Sequence, residues 1–214
     1  MEVVSTVAEV RARVKAWKKE GCSVGLVPTM GYLHEGHGSL ITKAREQNDK
    51  VVVSIFVNPM QFGPTEDLES YPRDLEKDSA FCESLGADLI FHPEPEEMYH
   101  KGFSSYVDMS VLTEELCGLS RPVHFRGVCT VVSKLFHIVT PDRAYFGEKD
   151  AQQDQGHGQL GADIGDGDDG GAELDGGVSL GILHRMARLV AGDADGGGGG
   201  AAVDIVGQTD HVGG

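Results

Sequence analysis

The sequence predicts an α/β domain built on a parallel sheet. Two short runs, Val24 to Val27 and Val51 to Val57, are apolar but for Ser54, as strands buried on both faces are. A helical pattern from about His37 to Gln47 lies between them, so strand, helix and strand form a βαβ unit. Polar residues follow each run directly, where open α/β sheets bind their ligands.

The remaining elements follow from periodicity. Residues 5–20 read as an amphipathic helix with Val7, Val10, Val14 and Trp17 as its apolar stripe. Gly21 is its expected cap, and Lys18 and Lys19 suit the dipole of its last turn. Leu40, Ile41 and Ala44 supply the packing face of the next helix. Thr65 to Leu85 is a helix-rich stretch in which Pro72 suits a first turn and Leu75, Cys82 and Leu85 form the buried side, with Gly86 as the stop. Asp88 to Pro93 reads as a third strand, residues 94–104 as a surface loop, and Ser105 to Met109 as a fourth strand. Cys117 to Gly127 reads as a Gly/Pro-rich loop whose Arg121, His124 and Arg126 suit an anion. A helix over Val128 to Ile138 and a strand from Arg143 to Phe146 complete the pattern.

Composition divides the chain near residue 153. Residues 154–214 hold 19 of the 30 Gly and contain no Phe, Tyr, Trp or Pro. Eleven acidic residues against two basic ones give this tail −9 of the total −16, leaving −7 for residues 1–153. Such a Gly/Asp-rich low-complexity segment buries too little apolar surface to offset its chain entropy, so it is expected to be disordered or weakly packed. The acidic balance argues against nucleic acid as a partner. Cys22, Cys82, Cys117 and Cys129 form no C-x-x-C pair, which suits buried thiols in a reducing cytoplasmic compartment. No signal peptide and no membrane span are expected.

The candidate site centres on Met30-Gly31-Tyr32-Leu33-His34-Glu35-Gly36-His37. A strand, a Gly-containing loop and a helix start would aim backbone N–H groups and a helix dipole at a phosphate. His34 and His37 are three residues apart and can face one point. Their imidazoles could stabilise charge on an attacked phosphate, hold a metal if a further ligand were near, or act only as caps. Asn58 and Gln61, past the second strand, carry amides able to bind a carboxylate or hydroxyl, although Asn58 before Pro59 could simply cap a turn. Gly147-Glu148-Lys149-Asp150 follows the last strand, with Lys149 able to reach a phosphate and Asp150 a ribose hydroxyl or metal ion.

Five blocks, taken together, resemble the pantothenate synthetase (pantoate–β-alanine ligase) family. They are Pro28 to His37, Ser54 to Phe62, Tyr71-Pro72-Arg73, Arg121 to Val128 and Pro141 to Gln153. The resemblance covers about residues 1–153. It implies a Rossmann-like nucleotidyltransferase domain that binds ATP and pantoate. It also implies Mg²⁺, a pantoyl-adenylate intermediate, β-alanine as the acceptor, and a cytoplasmic homodimer. By position, Met30 to His37 and Gly147 to Asp150 would bind ATP, with His34, His37 and Lys149 on the phosphates and His37 as proton donor. Gln61 and Gln153 would bind pantoate, with Asn58 in support; no metal ligand is assigned.

The sequence leaves the family's pattern after Gln153. The expected helix, the Ser-Ser-Arg-Asn loop and the smaller C-terminal domain have no counterpart in residues 154–214. A shifted reading frame near codon 153 accounts for this, with a genuine low-complexity tail as the alternative. The chain is then expected to be an impaired ligase. Another His-x-Gly-His nucleotidyltransferase and a non-catalytic nucleotide-binding fragment are the competing readings.

Overall fold

The computed structural model describes residues 1–63, 68–107, 122–147 and 202–206, with backbone alone at 122–125 and 202–206. Its elements run β1 (Glu2–Val4), α1 (Val7–Lys19), β2 (Val24–Thr29), α2 (Glu35–Gln47), β3 (Lys50–Ile55) and a 3₁₀ turn (Pro59–Gln61). They continue through α3 (Leu75–Ser84), β4 (Leu89–Phe91), α4 (Pro95–Met98), α5 (Pro122–Val139), β5 (Arg143–Gly147) and β6 (Ala202–Val206). The strands form one six-stranded sheet in the order β1-β4-β3-β2-β5-β6, and every pairing is parallel.

Successive side chains on a strand point to opposite faces, and this chain places an apolar residue at almost every one. Leu26, Val52, Leu89, Phe91, Ala144 and Phe146 pack on one face with Val10 and Val14 of α1 and Val132, Leu135 and Phe136 of α5. Val27, Val51, Val53, Ile90 and Tyr145 pack on the other with Leu40, Ile41 and Ala44 of α2 and Cys82 of α3. The result is a three-layer α/β/α sandwich with both faces covered, as an all-parallel sheet requires. Among the described residues, no helix is long and apolar enough to cross a membrane.

Acidic side chains fix the strand starts. Asp142 Oδ2 accepts the Val24 N–H at 2.8 Å while the Asp142 N–H donates to the Val24 carbonyl, which brackets the entries of β2 and β5. Asp88 accepts from the Val51 N–H, Arg45 and Lys50 at 2.9, 2.9 and 3.2 Å, and sets the entry of β3.

Several expectations need correction. α1 begins after Thr6, whose hydroxyl and the Glu9 carboxylate form a capping box. Residues 68–74 are not helical, so Pro72 does not open a helix; Asp74 caps α3 instead, accepting from the Lys77 N–H. The expected surface loop at 94–104 contains α4, and Met98 is buried. Residues 105–107 lie outside any strand, and 108–109 lie outside the described residues. α5 starts at Pro122, so the backbone through Gly127 is helix and not loop; Arg121 lies outside the described residues. Pro is well suited to a first helical position because that N–H needs no partner.

Two strands were not expected. β1 is three residues long and gives no periodic signal. β6 comes from the Gly/Asp-rich tail and extends the sheet beside β5, in register from Arg143 with Ala202 to Gly147 with Val206. Ala202-Val203-Asp204-Ile205-Val206 is rich in β-branched residues, which fit a pleated surface.

Cys82 is fully buried. Desolvation, and then the nearby Asp78 charge, push its thiol up to about 12. The folded state therefore keeps this proton after the unfolded chain has lost it. The associated stability is complete below the ordinary thiol range and is lost as pH rises towards 12. We predict that iodoacetamide at pH 8.5 labels the half-exposed Cys22 and spares Cys82 in the folded chain. Peptide mass spectrometry reads the outcome, and equal labelling would contradict this burial.

Candidate active site

The sheet order places a topological switch between β2 and β5. From β2 the chain steps outward through β3 on one side, while β5 lies on the other. Ligands of open α/β sheets bind at such a point, outside the carboxyl ends of the strands. Three of the predicted segments leave from those ends: Met30 to His34 after β2, Asn58 to Gln61 beyond β3, and Gly147 at the end of β5. Glu148, Lys149, Asp150 and Gln153 lie outside the described residues.

α2 begins two residues earlier than the periodicity suggests, with His34 as its N-cap. His34 Nδ1 accepts the Gly36 N–H at 3.0 Å, and His37 Nδ1 accepts the His34 N–H at 3.4 Å. The rings lie 4.2 Å apart between centroids, tilted by 45°. The capping reading is therefore correct, and it also fixes the chemistry. A neutral imidazole whose Nδ1 accepts must carry its proton on Nε2. With Nδ1 accepting in each ring, the remaining ring donor is Nε2–H.

The backbone of the loop behaves differently from the expectation. The N–H groups of Gly31, Tyr32, Leu33, His34 and Gly36 are all accepted within the protein. The acceptors are Thr29 Oγ1, the two oxygens of Asp78, His37 Nδ1 and His34 Nδ1. These five amides are therefore not open donors. Gly31 and Tyr32 turn the chain with φ of +93° and +52°. The positive φ favours glycine at residue 31, and a Cβ there would also press on Asp78 Oδ2 and Ile55 Cγ2, each at 3.1 Å.

The amide pair is tied to this loop. Gln61 is buried, and its Nε2 donates to the Met30 sulfur at 2.9 Å. Asn58, 1% exposed, donates from Nδ2 to Gln61 Oε1 and to the Gly127 carbonyl of α5, both at 3.0 Å. Its Oδ1 accepts from the Tyr99 hydroxyl at 2.8 Å and from the Met60 N–H at 3.3 Å. The turn-capping reading of Asn58 holds, and the same side chain is hydrogen-bonded to Gln61. Burial pushes the Tyr99 phenol well above its ordinary range, so it remains a donor. Tyr99 also packs against Phe56 and Phe103, with the Lys134 ammonium over the Phe103 ring at 4.7 Å. Sequence reading missed Tyr99, Asp78 and Gly127 as contributors. Asp78 left one trace, an acidic residue near the start of a helix.

A parallel sheet with a switch point, a strand-loop-helix carrying paired imidazoles, and a buried amide pair beside it define a Rossmann-like nucleotidyltransferase domain. The family model for pantoate-beta-alanine ligase matches residues 2–160. The chain belongs to the pantoate–β-alanine ligase family. It is 78% identical over 153 residues to the pantothenate synthetase of Ruminiclostridium cellulolyticum and 67% identical to that of Enterococcus faecalis, in each case over 72% of this chain and 54% of the relative. The crystal structure of a Thermus thermophilus pantothenate synthetase superposes with a TM-score of 0.73 at 44% identity, covering 97% of this chain and 61% of that one. A Francisella tularensis pantoate-beta-alanine ligase complexed with beta-gamma ATP and beta-alanine gives 0.76 at 30% identity, over 97% and 67%. The chain spans about half the length of the curated relatives it matches.

Proposed function

We propose that this chain carries the ATP- and pantoate-binding half of a pantoate–β-alanine ligase. In that reaction a pantoate carboxylate oxygen attacks the α-phosphorus of ATP and pyrophosphate leaves. The β-alanine amine then attacks the acyl carbon and AMP leaves. The observation that carries the reading is the pair of imidazoles with both Nδ1 atoms engaged by backbone N–H groups, each holding a proton on Nε2 above the switch point.

Such a reaction needs no protein nucleophile. It needs two substrates held in line and charge stabilised on the transferring phosphoryl group. His34 and His37 donate to ATP phosphates, with His37 as the proton donor, and Met30 to His37 line the nucleotide. Gly147, Glu148, Lys149 and Asp150 complete that pocket, with Lys149 on the phosphates. Gln61 and Gln153 hold pantoate, and Asn58 orients Gln61. Mg²⁺ enters with ATP as substrate and neutralises phosphate charge. Among the described residues no group of three or more His, Cys, Asp or Glu could hold a metal by itself, which suits an ion bound mainly through phosphates. A cytoplasmic homodimer that binds neither nucleic acid nor membrane completes the reading, and light scattering on the purified chain tests its dimeric state.

The sequence beyond residue 153 favours a second reading, in which binding outlasts catalysis. Residues 154–214 contain no Ser-Ser-Arg run to close on the phosphates. We attribute this segment to a shifted reading frame near codon 153, so the fragment would bind ATP with little turnover. Resequencing the coding DNA tests the origin of the segment; an intact frame would sink it.

Pyrophosphate release from MgATP by the purified 214-residue chain, with and without pantoate, tests the function. Pantoate-dependent release supports adenylation by this half. MgATP binding without release supports the fragment reading, and no binding by folded protein overturns both. A subsidiary prediction concerns Tyr99→Phe, which removes one hydrogen bond worth about 1 kcal/mol. It should weaken pantoate binding about fivefold by calorimetry, and an unchanged affinity would remove Tyr99 from the site.

A further inference from the structure

Asp78 is 1% exposed on α3. Its two oxygens accept the Tyr32 and Leu33 N–H groups, each at 2.8 Å, across 45 residues of sequence or more. Among the described residues it forms no ion pair with Lys or Arg. Burying a carboxylate is costly unless it is well hydrogen-bonded, so the two loop amides account for its position. They also meet it where the backbone is least willing, since Tyr32 has φ of +52° directly after Gly31 at +93°. A side-chain-bearing residue in that region costs about 1–2 kcal/mol, and charge-assisted hydrogen bonds are strong enough to offset it.

We propose that Asp78 is a positioning residue that sets the nucleotide site by locking the Gly31-Tyr32-Leu33 turn onto α3. The lock has two consequences. It fixes where the chain enters α2, and hence where His34 stands as N-cap and where His37 stands one turn on. It also withdraws the Tyr32 and Leu33 amides from any ligand, so that phosphate recognition passes to the imidazole Nε2–H groups. Asp78 itself touches no substrate. The affinity part of this proposal rests on the ATP-binding reading above, whereas the locking of the turn does not.

The test uses the full 214-residue chain and Asp78→Asn, in which the amide can accept from one backbone N–H but presents N–H groups to the other. Amide exchange by NMR or mass spectrometry is measured without ligand. The Tyr32 and Leu33 amides should be protected in the unmodified chain and should exchange at least tenfold faster in the variant, while the α3 amides stay protected. MgATP affinity, corrected for any unfolded fraction, should fall at least tenfold. A variant that is destabilised but binds MgATP as before, once correction is made for its unfolded fraction, would make Asp78 a purely structural residue. Unprotected Tyr32 and Leu33 amides in the unmodified chain would overturn the lock without any variant. If the unmodified chain binds no MgATP, the ATP-binding reading fails, and exchange at Tyr32 and Leu33 still decides the lock.

Discussion

Gly127→Ala is expected to lower the melting temperature by about 4–8 °C, although alanine is the better helix former by about 1 kcal/mol. Gly127 lies inside α5 and is buried against the 3₁₀ turn. A Cβ there would lie 2.4 Å from the Met60 oxygen, 2.5 Å from the Met60 carbonyl carbon and 2.6 Å from the Gln61 nitrogen. All three are backbone atoms, so no rotamer change relieves the overlap. The turn would have to retreat by roughly 1 Å to reach ordinary contact. Overpacking of this kind costs about 1–3 kcal/mol. The same retreat pulls Asn58 Nδ2 from the Gly127 carbonyl, which leaves that amide one of its two hydrogen bonds and adds about 1 kcal/mol. Against the propensity gain, a net loss of about 2 kcal/mol remains, and each kcal/mol shifts the melting point of a chain this size by about 2–4 °C. The displaced turn carries Gln61, so pantoate affinity should fall in the same variant. A melting temperature that rises would show that propensity outweighs the contact and that α5 and the turn are not in close apposition.

Gly127 also shows why part of the site was hidden in the sequence. Cys117 to Gly127 holds a proline and two glycines and reads as a loop. Yet Pro122 opens α5, and Gly127 is present because two backbones approach closely. Composition reports that glycine is tolerated at a position, not which neighbour demands it. The strands were legible for the opposite reason. β2 and β3 are buried on both faces, so their apolar runs need no knowledge of what covers them. The start of α2 was placed too late because histidine is not among the common N-cap residues. The loop amides were misread because spacing reveals donors but not acceptors. Asp78 and Thr29 supply three of those acceptors, and Asp78 reaches the loop only through tertiary structure. Tyr99 was invisible for the same reason, since it meets Asn58 only through the fold. The strand at Ala202–Val206 was missed because a Gly/Asp-rich context outweighed a five-residue segment with three β-branched residues.

His37→Ala should reduce pantoate-dependent pyrophosphate release about 10²–10³-fold relative to the unmodified chain, read in a single-turnover assay. That is the loss of about 3–4 kcal/mol measured when one preorganised donor is removed from a developing charge. MgATP affinity should change far less, because the donor acts most strongly on charge that exists only in the transition state. Two further variants separate catalysis from capping. His37 Nδ1 holds the His34 N–H at 3.4 Å, while the donor is on Nε2. An asparagine amide reaches only the Nδ1 position, so His37→Asn restores the cap without the donor. A glutamine amide extends to the Nε2 position and can donate there. Release should therefore follow the order His, Gln, Asn, Ala, with Asn close to Ala. If Asn recovers as much release as Gln, the imidazole serves the helix and not the phosphate, and the tautomer set by the cap has no part in the chemistry.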